Sequence, residues 1–131
     1  MKRCLAFLGG CVLLAGCGTP SLSLDSAYAP SVARIATAAE MMNTCPGVGP
    51  GLEVDESFII SAADFEAAQT GLSTQKIRSV AFYGDRTSIH AARDALLTER
   101  GVTVGDSAAL CAYASKVAGT NDPLGQLIAV Q

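Results

Sequence analysis

Pro30-Ser31-Val32-Ala33-Arg34-Ile35-Ala36-Thr37-Ala38-Ala39-Glu40-Met41-Met42-Asn43-Thr44-Cys45-Pro46 is the stretch on which the fold turns. Val32, Ile35, Ala36, Ala39 and Met42 recur at spacings of three and four, which places them on one apolar face of a helix. Cys45-Pro46 ends that helix, because proline removes a backbone donor and disfavours helical geometry in the preceding residue. Gly47, Gly49, Pro50 and Gly51 follow, where backbone entropy and missing donors prevent a helix from resuming. This run reads as a plain connecting loop. It lacks the Lys-Ser/Thr and the preceding strand that a phosphate cradle needs.

Downstream, each segment again votes for helix. From Val54 to Gln69 the sequence predicts a second helix burying Phe58, Ile59, Ala62, Phe65 and Ala68, with Glu53, Asp55 and Glu56 near its positive end and Gly71 as its stop. Ser73 caps a third helix carrying Ile77, Val80 and Ala81, and Asp85 caps a fourth carrying Ile89, Ala92, Leu96 and Leu97. Asp106 caps a fifth with Leu110, Cys111, Ala114, Val117 and Ala118 inside. Asp122-Pro123 opens a short terminal helix holding Leu124, Leu127 and Ile128. A sheet would have to rest on Ser79–Phe82 and Val102–Val104, which are short and joined by no tight hairpin signal. The expected fold is therefore all-α, a small bundle of five to six short helices over residues 31–131.

Upstream, Met1-Lys2-Arg3 precedes an uncharged run from Cys4 to Ala15, the basic and apolar regions of an export signal. The run is too short to span a bilayer, which takes about 18 or more apolar residues. Leu14-Ala15-Gly16-Cys17 resembles the lipobox of bacterial lipoproteins. That resemblance implies removal of residues 1–16, a lipid on Cys17 as the membrane anchor, and a tether over residues 17–30. Each buried methylene contributes about 0.8 kcal/mol, so two or three acyl chains would hold the protein permanently. Gly18, rather than Asp, follows the cysteine, which under the family's sorting pattern implies the periplasmic face of the outer membrane.

Cleavage leaves enough chain for one domain with one core. Losing Lys2 and Arg3 takes the formal charge from −3 to −5, and no basic stripe remains, which argues against nucleic acid as a partner. Cys4 and Cys11 leave with the signal, so Cys45 and Cys111 remain beside Cys17. In an oxidising compartment that even pair reads as a disulfide, stabilising the fold by about 4 kcal/mol in the chain-entropy model. Metal ligation by the pair lacks partners, because the chain has one histidine and no CxxC.

Cys45, Pro46, Gly101, Val102, Gly105, Asp106 and Cys111 together form a pattern that resembles an alphaproteobacterial family of exported two-cysteine helical proteins. The resemblance covers residues 31–130 and implies a small helical exported domain. It brings no activity, cofactor or catalytic residue. The lipobox and the glycine-rich 47–51 stretch set this chain apart from that pattern.

Candidate chemistry is sparse. His90 lies near Ser88, Asp94 and Glu99, the raw material for a base oriented by a carboxylate, although no serine sits on a sharp glycine turn. Glu53, Asp55, Glu56, Asp64 and Glu66 lack the alternating ligands of a calcium loop and read as solvated or dipole-facing charges. Arg78, Arg86 and Arg93 would make an anion-binding face only if their helices align; surface ion pairing is their default role. The scattered aromatics suit core anchors. These residues point to a binding or assembly module of the envelope, with another envelope protein as partner and no catalytic residue, metal or cofactor. A carrier of small apolar ligands and a hydrolase using His90 are the alternatives.

Overall fold

A computed structural model describes residues 24–131. The expected signal peptide, residues 1–16, and the lipid site at Cys17 lie outside the described residues. Within them the chain forms six helices and one short strand pair. In order these are α1 (Ala29–Thr44), β1 (Val48–Pro50), α2 (Phe58–Thr70), α3 (Thr74–Tyr83), α4 (Arg86–Glu99), α5 (Ser107–Val117), α6 (Pro123–Leu127) and β2 (Ile128–Val130).

All the helices but α1 begin where a side-chain oxygen takes an orphan backbone N–H. Ser73, Asp85, Asp106 and Asp122 accept from the N–H groups of Lys76, Ser88, Ala109 and Leu124. Ser57 does the same for Ile60, which starts α2 at Phe58 rather than at Val54. Glu53, Val54, Asp55 and Glu56 accordingly sit exposed in the preceding loop. At the end of α1, Cys45 is extended at φ −102° and ψ 116°, the backbone that a following proline favours.

α1 is the central strut. It packs most extensively along α4 and also touches α2, α3, α5 and α6. The single apolar stripe expected for it is therefore too narrow: Ser31, Val32, Ala33, Ile35, Thr37, Ala38 and Met41 are all buried, while Ala36, Ala39 and Met42 lie half-covered. Small side chains make this possible by letting neighbouring helices approach on several sides. Buried Thr37 spends its hydroxyl on the Ala33 carbonyl at 2.7 Å. The main core joins Met41 and Cys45 to Ala62, Ala63, Ile77, Leu97, Leu110, Ala114, Leu124, Leu127 and Ile128.

Three expectations need correction. Residues 47–51 are not merely a loop: β1 pairs antiparallel with β2, Val48 opposite Val130 and Pro50 opposite Ile128. Ile128 consequently belongs to a strand and not to the terminal helix. Gly51 permits this closeness, since a Cβ there would lie 2.7 Å from the carbonyl oxygens of Gln126 and Ile128. The third correction concerns the tether, because the packed chain begins before residue 31. Leu24 covers Val32, Val80 and Ile89, and the Asp25 carbonyl receives the N–H groups of Tyr28 and Ala29.

Cys45 and Cys111 are bridged, with α-carbons 5.3 Å apart. The bond joins the end of α1 to the second turn of α5. It closes a loop of sequence separation 66 that contains α2, α3 and α4.

Candidate functional site

The long contact between α1 and α4 leaves open grooves along its flanks. One, of about 220 Å³, has Ala36, Ala39 and Ile59 among its lining and Arg86, His90 and Arg93 on its α4 side. These three follow the i, i+4, i+7 spacing that aligns side chains on one helical face. Asn43 and Glu40 stand opposite on α1. Arg93 bonds the Asp94 carboxylate at 3.0 Å and reaches Glu40 at 3.5 Å. Arg86 donates to the Ala81 carbonyl at 2.6 Å, which steadies it at the turn between α3 and α4.

A neighbouring hollow of about 290 Å³ shares Glu40 and Arg93 and extends to Thr103, Val104, Asp106 and Ser107. Its rim carries Glu40, Asp94 and Asp106 against a single arginine, and the Asp106 carboxylate already caps α5. The 220 Å³ groove is the better binding surface, because there two arginines and a histidine face one carboxylate.

The remaining candidates separate. Arg78 is not part of a common face with Arg86 and Arg93; it pairs with Asp64 of α2 at 2.7 Å. His90 is exposed, and no hydrogen bond joins it to Ser88, Asp94 or Glu99 among the described residues. The Ser88 hydroxyl instead donates to Asp85 at 2.7 Å, and those contacts hold the Asp85 carboxyl below its usual range. Among the described residues no three His, Cys, Asp or Glu side chains gather as a metal site.

Glu66 departs most from its expected role. It is fully buried and receives two bonds from Arg34, at 2.8 and 2.5 Å, tying α2 to α1. Its position on the inner face was hidden because Ala62 and Ala63 bring α2 close enough to α1 for Arg34 to reach it. A second network ties the far end of α4 to α5 and α6: Arg100 donates to the Tyr113 hydroxyl and to the Asp122 carboxylate. Partial burial pushes the Asp122 carboxyl up, but Arg100 and the Leu124 and Gly125 N–H groups outweigh it and hold the group below the ordinary carboxylate range.

What fold and groove define together is a small disulfide-bridged helical domain with an apolar-floored surface cleft edged by Arg86, His90 and Arg93. No protein-family model, curated protein or solved structure matches the chain.

Proposed function

We propose that this protein is a lipid-anchored module of the bacterial cell envelope that works by binding, and that the α1–α4 groove receives an acidic segment of another envelope protein. The anchor rests on the lipobox-like Leu14-Ala15-Gly16-Cys17, and the outer membrane's periplasmic face on Gly18. The observation that carries the binding reading is the alignment of Arg86, His90 and Arg93 above Ala36, Ala39 and Ile59. An apolar floor desolvates the contact while the cations select negative charge and steer encounter. At about 220 Å³ the cleft is smaller than the usual small-molecule pocket of about 300–1,000 Å³, which suits side chains of a docking segment. The same openness weighs against a carrier of apolar ligands, which needs enclosure, and the unassembled Ser88, His90 and Asp94 weigh against a hydrolase.

Two measurements test this. Labelled palmitate should enter the native protein and be lost in a Cys17→Ser variant. A photocrosslinker at Ala39 should give a discrete adduct in intact envelopes that disappears in His90→Glu/Arg93→Glu. Identical adducts from Ala39 and from the remote, exposed Thr98 would count against the groove.

A further inference from the structure

Phe82 and Tyr83, at the end of α3, are neighbouring exposed aromatics, 42% and 79% accessible, with ring centroids 6.1 Å apart. Their surroundings say what covers them. Followed backwards, the chain climbs α3: the Tyr28 hydroxyl accepts from the Ser73 N–H, Asp25 pairs with Lys76, and Leu24 packs against the cluster of Val32, Val80 and Ile89. Lys76, Val80 and Tyr83 form one i, i+4, i+7 stripe. The contacts from Tyr28 to Leu24 thus advance along α3 toward its Tyr83 end. From Cys17 to Leu24 an extended chain reaches at most about 25 Å.

We propose that this corner sits in the headgroup layer of the membrane that holds the lipid on Cys17, so that the anchored domain has a fixed face toward the bilayer. This rests on the lipid-anchor reading above. Amphipathic aromatic rings favour the boundary between water and acyl chains. Tyr83 carries the hydroxyl that such a position hydrates, and Phe82 supplies the apolar partner. The carboxylates at this corner are engaged locally, Asp25 by the Ala27 N–H and Lys76, Asp85 by Ser88.

The chain contains no tryptophan, so one introduced indole reports alone. Full-length lipidated protein carrying Tyr83→Trp, Phe82→Trp or Val104→Trp is placed in phosphatidylethanolamine/phosphatidylglycerol vesicles with brominated acyl chains. Val104 is the control, exposed at the other end of α4 and about 20 Å away at 1.5 Å per residue. Blue-shifted emission and several-fold stronger bromine quenching at positions 82 and 83 than at 104 is the expected result. Equal or absent quenching in protein whose mass proves lipidation overturns the orientation and leaves the anchor intact. A mass without lipid on Cys17 overturns the anchor, and the orientation with it.

Discussion

At its C-terminal end α1 is pinned by the Cys45–Cys111 bridge and by a dense core of Met41, Leu110, Leu124, Leu127 and Ile128. At its N-terminal end Val32 shares a small apolar cluster with Val80 and Ile89, half-covered by Leu24 and Ala36. The exposed Lys76–Asp25 pair adds little there, since such pairs contribute about 0–1 kcal/mol. Beyond the buried Arg34–Glu66 pair, one helix therefore runs from a covalently closed region to a first turn assembled from small, separable contacts. The lesson is that local opening starts at the α3–α4 corner, while the bridged end sets the global stability.

The comparison breaks most severely when the bridge is removed. Cys45→Ala/Cys111→Ala is expected to lower unfolding free energy by about 4 kcal/mol, measured by urea denaturation. A loss below about 1 kcal/mol would mean that packing alone distinguishes the two ends. Arg34→Ala comes next, at about 3 kcal/mol, because it strands the buried Glu66 carboxylate. Arg34→Met/Glu66→Leu should recover most of that loss; no recovery would show that Arg34 acts through contacts other than Glu66.

Truncations sharpen the contrast at an equal or smaller scale. Leu127→Ala should cost about 3 kcal/mol, and Val80→Ala about 1–2 kcal/mol. In hydrogen exchange, Val80→Ala should deprotect α3 and the start of α4 and leave α5 and α6 almost unchanged. Uniform deprotection would erase the distinction between the ends. The smallest effect is acid sensitivity at the bridged end. Because the folded-state pKa of Asp122 is lowered, its contribution is present above the unfolded carboxylate range and is lost as pH falls through the folded value. Asp122→Asn keeps a capping oxygen but removes the titration, so stability should fall less steeply below about pH 4 in that variant.

The caps at Ser73, Asp85, Asp106 and Asp122 were legible because capping is local: a short polar side chain bonds an N–H two or three residues ahead. The same logic misfired at residue 54, where Asp55 and Glu56 imitate an acidic first turn and the Ser57 oxygen takes the Ile60 N–H instead. Nonlocal features were not legible. Nothing near Glu66 announces Arg34, and nothing in Val48–Pro50 announces Ile128–Val130. For the groove, Arg86 and Arg93 were singled out by spacing, but with Arg78 as their companion. Only the crossing of helices shows that Asp64 engages Arg78 while His90 completes the row.

The sulfur bridge also makes residues 45–111 a closed ring. A protease cutting the exposed Glu53–Glu56 loop would linearise that ring without releasing a fragment. The nicked molecule would migrate as one band on a non-reducing gel and as two after thiol treatment, because the sulfurs would be the one covalent link left between its pieces.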